Sequence, residues 1–154
     1  MSISITLHRS GTSRTQQVDT TTTGLDLFGS DRAVVAMRVD GNLVDLQREL
    51  HDGAEVEPVE ATSEDGLNII RHSATHVMAQ AVQQLYPEVN LGIGPFITDG
   101  FYYDFGNIEP VTPEVLSEFE KRMKRIVKEN QRFVRRVTTC LLYTSDAADD
   151  LLCV

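Results

Sequence analysis

Polar and apolar residues alternate over Ser2-Ile3-Ser4-Ile5-Thr6-Leu7, the period of a strand with one buried face. Arg9-Ser10-Gly11-Thr12 supplies turn chemistry, after which Thr15 to Asp19 can return as a second strand. Leu25 to Phe28, closed by Gly29, predicts one or two helical turns. Ala33 to Val39 is almost continuously apolar and fits a central strand covered on both faces. Asp40-Gly41-Asn42 turns the chain into a short strand, Leu43 to Leu46; Asp52-Gly53 turns it again, and Ala54 to Val59 is a last strand. The period then changes. Thr62-Ser63-Glu64-Asp65 is a linker that doubles as a helix start, with Ser63 as N-cap and acidic residues in the first turn. Leu67, Ile70, Ala74, Val77, Met78, Ala81, Val82 and Leu85 recur at helical spacing, so a helix is expected from about Asp65 to Leu85, ending before Pro87. Leu91 to Phe105 reads as two strands around a Gly94-Pro95 bend and an Asp99-Gly100 turn. Thr112-Pro113 opens a second helix, with Thr as cap and Pro at the first helical position. That helix turns Val115, Leu116, Phe119, Met123 and Ile126 inward and runs to about Asn130. Arg132 to Val137 can begin another strand.

These elements fall into a β-rich stretch, residues 1–61, and an α/β stretch, 62–139, so the fold class is α+β. The 154 residues leave room for one domain or two small ones. With 41% hydrophobic and 24% charged residues the composition is that of a globular chain, neither disordered nor collagen-like. No stretch approaches the ~20 apolar residues of a membrane helix, and the N-terminus lacks the charged and apolar regions of a signal peptide. Two cysteines cannot build a disulfide framework, so a cytoplasmic setting is expected. The net charge of −9 is uneven: residues 1–117 carry −11, residues 118–136 carry +5 and residues 137–154 carry −3. Contact with nucleic acid would therefore be made by a local late patch, not by a global field.

The last fifteen residues, CLLYTSDAADDLLCV, share no period with what precedes them and hold both cysteines. Their back-translation is similar to the adapter DNA of transposon-based sequencing libraries. Residues 140–154 are therefore expected to be a non-native tail, and the natural protein is expected to continue beyond Thr139.

The candidate chemistry lies in Arg71-His72-Ser73-Ala74-Thr75-His76. Four residues apart on a helix, His72 and His76 present both imidazoles on one face. Such a pair can bind a metal, or hold a water and move its protons near neutral pH. The H-E-x-x-H pattern is absent, because Ser73 follows His72. Taken alone, the pair also fits ordinary surface or core histidines. Lys121, Lys124, Arg125 and Lys128 form a stripe at i, i+3, i+4 and i+7, either a solvated face or a contact for phosphates.

The element order of the first sixty residues resembles a β-grasp (ubiquitin-like) fold. The stretch VVAMRVDGNLVDLQRELHDGAEVEPV is similar to a TGS domain, although spacing alone also fits a generic small β domain. IIRHSATHVMAQAVQQLYP, LGIGP, DGFYYDF and TPEVLSEFEKRMKRIVKEN, in that order, resemble the start of the editing domain of threonyl-tRNA synthetases, in which a TGS domain comes directly before. The resemblance covers essentially all of residues 1–139. It implies an ATP-dependent threonine–tRNA ligase whose editing domain hydrolyses seryl-tRNA. A second, hydrolytic site has a physical rationale: threonine and serine differ by one methyl group, worth only about 1–3 kcal/mol of discrimination.

Carried over residue by residue, His72 and His76 would position the attacking water and the ester end of the tRNA, and Gly94 and Tyr103 would line the pocket. Tyr102 and Tyr103 also fit ordinary strand packing. A Cys-x-x-x-His element that completes the family's editing site is missing, and Cys140 and Cys153 do not replace it. So is the aminoacylation core, to which ATP, Mg and Zn belong and through which the family forms homodimers. The chain itself is thus expected to hold no cofactor, to carry no zinc-ligand set, to have tRNA as its partner and to be inactive alone. Two alternatives stand beside this reading. One is an RNA-binding or regulatory module built on the TGS domain, for which the His72/His76 helix has no use. The other is a free-standing editing hydrolase acting in trans, which would need the missing Cys/His half.

Overall fold

The computed structural model describes residues 1–131; the tail from Cys140 and the strand expected over Arg132 to Val137 lie outside the described residues. The chain divides into two compact units, Met1–Ile70 and the residues from Arg71 onward.

The first unit is a five-stranded mixed sheet with one short helix. Its elements are β1 (Ser2–Arg9), β2 (Thr12–Asp19), α1 (Gly24–Phe28), β3 (Val34–Val39), β4 (Asn42–Val44) and β5 (Glu55–Glu60), followed by the start of α2 (Glu64–Leu85). The strand order is β2-β1-β5-β3-β4, with β1 and β5 parallel and every other neighbouring pair antiparallel. The alternation in β1 works as expected: Ile3 and Ile5 are buried. They join Phe28, Val34, Met37, Leu50, Ala54 and Val56 in one core.

β2 is longer than its sequence suggested. It pairs with β1 from Ser2↔Asp19 to Arg9↔Thr12, because Ser10 and Gly11 both take positive φ, 51° and 76°. That two-residue geometry matches the twist of the flanking strands and brings them into register at once. Asp40 and Gly41, at 50° and 77°, do the same between β3 and β4. β4 stops at Val44 instead of Leu46, because Asp45 turns the chain: its carboxylate accepts from the Gln47 N–H and its carbonyl from the Arg48 N–H.

A proline stands in β5, between two neighbouring strands. The Thr6 N–H donates to the Ala54 carbonyl and the Asp40 N–H to the Glu55 carbonyl, so even-numbered residues of β5 face β1 and odd-numbered ones face β3. Pro58, which has no N–H, falls where the next donor toward β1 would stand. The β1/β5 pairing ends accordingly at Leu7↔Val56, while β5 continues against β3 as far as Glu60.

The sequence placed a linker after Ala61, but the units divide nine residues later, inside α2. The first turns of α2 explain this. Ser63 caps the helix by accepting from the Gly66 N–H at 3.1 Å, while its hydroxyl donates to the Glu60 carbonyl at 2.6 Å. Gly66 sits against the same carbonyl so closely that a Cβ there would lie 2.0 Å from it. Asp65 is ion-paired with Arg38 of β3.

Among the described residues, the second unit holds the rest of α2, four two-residue strands and α3 (Pro113–Lys128). β6 (Asn90–Leu91) pairs with β9 (Phe105–Gly106), and β7 (Phe96–Ile97) with β8 (Gly100–Phe101), both antiparallel. Two continuous strands were expected here. The bend at Gly94-Pro95 breaks the ladder into two, bridged by the Gly92 N–H on the Asp104 carbonyl and the Asp104 N–H on the Ile93 carbonyl. The tight turn is Thr98-Asp99, and Gly100 already belongs to β8.

Val82, Val89 and Phe119 are buried, with Met78, Leu85, Tyr86, Leu91, Phe105, Ile108 and Val115 packed around them. Thr112 caps α3 by accepting from the Val115 N–H. Leu116, expected to turn inward, is 57% exposed, and Leu67 and Ile70 of the apolar stripe on α2 are 40% and 43% exposed. Periodicity marks an apolar stripe, but only neighbouring elements decide how much of it is covered.

Candidate functional site

α2 is helical through His72 and His76, and one turn brings their rings together. The Nε2 atoms are 3.2 Å apart and the ring centroids 4.8 Å apart, with the ring planes at 87°. At 3.2 Å one nitrogen donates and the other accepts, so the neutral pair shares one proton along this line. Both side chains are exposed, whereas Thr75 between them is fully buried and returns its hydroxyl to the His72 carbonyl at 2.7 Å. Thr75 thus fixes the inward side of this turn while the imidazoles stay open to solvent.

Gly94 and Tyr103 also come together, though not as two independent lining groups. The Tyr103 ring occupies the space a side chain at Gly94 would need: a Cβ there would lie 2.3 Å from Cδ2 and 2.4 Å from Cε2. Tyr103 in turn stacks on Phe105 with centroids 4.7 Å apart and planes at 13°. A residue missed in the sequence connects this hairpin to the histidines. Phe96, two residues past Gly94, approaches His72 with centroids 6.2 Å apart and planes at 83°. Its sequence signal is its place directly after Gly94-Pro95, in a strand of only two residues.

The basic stripe lies on α3 and is largely compensated by its own helix. Lys121 meets Glu118 at 3.7 Å, Lys124 meets Glu120 at 2.6 Å, and Arg125 meets Glu129 at 3.9 Å. Arg125 also donates to the Gln84 side chain at 3.0 Å. The bond from Lys124, together with its charge, holds the Glu120 carboxyl below its ordinary value. Lys128 is exposed near the end of the helix. Glu118 meets Arg122, and Glu120 meets Lys124, at i,i+4 spacing.

Two open clefts of about 660 and 690 Å³ lie on the first unit and contain none of the candidate residues. Part of their charged lining is paired, Arg38 with Asp65 in one and His51 with Asp40 in the other. The imidazole pair thus lies apart from both clefts. Among the described residues, no three His, Cys, Asp or Glu side chains gather to hold a metal ion. No helix among them is long and apolar enough to cross a membrane.

No family model matches the chain. Three curated relatives are threonine–tRNA ligases. That of Cutibacterium acnes is 99% identical over 139 residues, covering 90% of this chain and 20% of the relative. That of Streptomyces avermitilis is 53% identical over 148 residues, 96% of this chain and 22% of the relative. That of Pseudarthrobacter chlorophenolicus is 59% identical over 123 residues, 80% of this chain and 18% of the relative. The chain thus spans about a fifth of the length of the curated relatives it matches, and its homologues are threonine–tRNA ligases matched over their N-terminal portion.

Proposed function

We propose that residues 1–139 are the N-terminal part of an ATP-dependent threonine–tRNA ligase, and that His72 and His76 belong to a hydrolytic site that removes serine from mischarged tRNA. The observation that carries the hydrolytic reading is the exposed imidazole pair with its Nε2 atoms 3.2 Å apart. In the reaction a water oxygen forms a bond to the ester carbonyl carbon of seryl-tRNA. The bond from that carbon to the ribose oxygen breaks. An imidazole takes the water proton, and the ribose oxygen leaves with a proton returned from the pair. Two adjacent imidazoles suit this exchange, because each can hold a proton near neutral pH.

The mixed sheet of the first unit, in the order β2-β1-β5-β3-β4, supports the reading of a β-grasp module of the TGS kind. The 139 residues aligned at 99% identity with the Cutibacterium acnes relative equal in number those before Cys140, which supports a non-native tail; the 148-residue alignment with the Streptomyces avermitilis relative, at 53% identity, extends into that tail. Ligation itself, with ATP, Mg and Zn and with any dimer contact, belongs on this reading to the four fifths of the relatives that this chain does not span. tRNA is the shared partner, and Lys121, Lys124, Arg125 and Lys128 are the residues proposed to approach its phosphates. The proposed setting is cytoplasmic.

The test is the double substitution His72→Ala with His76→Ala in the full-length ligase. Seryl-tRNA hydrolysis is expected to fall by about 10²–10⁴-fold, with threonine activation unchanged. In the 154-residue chain the same change should alter nothing measurable. Unchanged proofreading in the full-length double variant would make the pair structural, and robust deacylation by the short chain would favour a hydrolase acting in trans.

A further inference from the structure

We propose that Phe96 is a positioning residue for His72: its ring holds the imidazole in the rotamer that aims Nε2 at His76. This rests on the hydrolytic reading given above and goes beyond it, since neither the histidine spacing nor the pocket residues Gly94 and Tyr103 single out Phe96.

Three aromatic rings stand in series. Phe96 meets His72 with planes at 83°, and His72 meets His76 with planes at 87°. Near-perpendicular contacts are the arrangement that ring quadrupoles favour, so each ring has an angular preference relative to the next. His72 needs such a restraint. It is exposed, and on a helix its χ1 has two accessible staggered wells. Thr75 fixes the backbone of this turn through the His72 carbonyl but does not touch the His72 ring orientation. The 3.2 Å contact with His76 restrains it only while one imidazole donates and the other accepts. That contact is interrupted whenever a proton moves to or from substrate, which is when the ring must keep its place. The ring contact with Phe96 needs no particular protonation state of His72.

Phe96 is itself held. It pairs across the hairpin with Phe101, and the Tyr102 N–H donates to the Pro95 carbonyl at 3.4 Å beside it. Pro95 fixes its own φ and biases Gly94 toward extended backbone. The Tyr103 ring packed on Gly94 immobilises the same bend from the other strand. Phe96 nevertheless remains 44% exposed, unlike a core phenylalanine such as Phe28 at 2%. Its ring is thus placed by the backbone around it, and burial does not account for its position. This gives the Gly94-Pro95 bend a role: it delivers a rigid aromatic group to the imidazole from an exposed hairpin.

The experiment compares Phe96→Ala, Phe96→Leu and Phe96→Tyr. In the full 154-residue chain, χ1 couplings and ring nitrogen shifts of His72 are read by NMR, with His8 and His51 as internal references. Phe96→Ala and Phe96→Leu are expected to average the His72 rotamers and shift its Nε2 signal, leaving His8 and His51 unchanged. Phe96→Tyr should keep the wild-type signals. Leu has most of the volume of Phe without the ring, so it separates lost packing from lost ring geometry. In the full-length ligase, Phe96→Leu should lower the single-turnover hydrolysis rate of seryl-tRNA by about 3–10-fold, the size of one aromatic pair contact, with little change in KM. Unchanged His72 couplings and shifts in both Phe96→Ala and Phe96→Leu would overturn the proposal. Failure of the hydrolytic reading would look different: His72 would still reorient in these variants, while the His72→Ala/His76→Ala enzyme would proofread normally.

Discussion

The ring of Tyr103 fills the space that a side chain on Gly94 would need, with Cδ2 2.3 Å from the position of a Cβ. Tyr103 cannot withdraw freely, because it stacks on Phe105, and Phe105 belongs to the packing around Val82 and Phe119. Gly94→Ala therefore forces the ring off Phe105 or bends the hairpin. The expected cost is about 1–3 kcal/mol of stability, the range for overpacking, read by denaturant unfolding. In a cycle with Tyr103→Ala, the second substitution should relieve part of the first, with a coupling of about 0.5–3 kcal/mol. Strictly additive effects would show that the two residues do not compete for one space.

The division inside α2 predicts where the first unit can be cut. A chain ending at Ala61 loses the Ser63 cap, the Gly66 contact with Glu60 and the Arg38–Asp65 pair. A chain ending at Ile70 keeps all three. The longer piece is expected to melt at a higher temperature and to give dispersed amide signals where the shorter gives weaker ones. Ser63→Ala in the whole chain should cost about 1 kcal/mol, the usual value of an N-cap. Equal melting temperatures for the two pieces would return the boundary to residue 61.

Acid should weaken the first unit through two carboxylates, Asp26 in the first turn of α1 and Asp31 in the loop after it. The Thr23 N–H and hydroxyl hold Asp26 below its ordinary value, and the Ala33 N–H and the Arg9 guanidinium do the same for Asp31. Folded values below unfolded ones mean that the stabilisation is complete above the unfolded pKa, about 3.9. It is lost as pH falls through the folded values. Melting temperature followed by circular dichroism should be flat from pH 7 to 5 and fall below about pH 4. Asp26→Asn should make that fall shallower, and an unchanged acid slope would count against the Thr23–Asp26 bonds as its cause.

On α3 the ion pairs predict unequal roles for the basic residues. Lys124 already satisfies Glu120 at 2.6 Å, so bringing it to a phosphate means giving up that bond. Lys128 is exposed at the last turn, where the helix dipole favours a cation. In the full-length ligase, Lys128→Ala should lower the salt slope of tRNA binding by about 1, as for the loss of one phosphate contact. Lys124→Ala should lower it less. Identical slopes for both variants and the parent would make the stripe a solvated face.

Much of the fold was legible because it is local. The Ile3/Ile5 alternation, the Ser63 and Thr112 caps, and the turns at Ser10-Gly11 and Asp40-Gly41 are each fixed by a few adjacent residues, and each is found where the sequence placed it. The spacing of His72 and His76 likewise put both rings on one helical face, since a helix brings residues four apart together whatever surrounds it. What needed the tertiary structure depends on distant chain segments. Parallel pairing of β1 with β5, which ends at Leu7↔Val56 just before Pro58, joins residues some fifty positions apart. The exposure of Leu67, Ile70 and Leu116 follows from which elements pack beside a stripe, and hydrophobicity alone does not encode that. The same holds at the candidate site. The sequence supplied two imidazoles, but the ring of Phe96 reaches His72 across twenty-four residues, because a hairpin bend at Gly94-Pro95 carries it there.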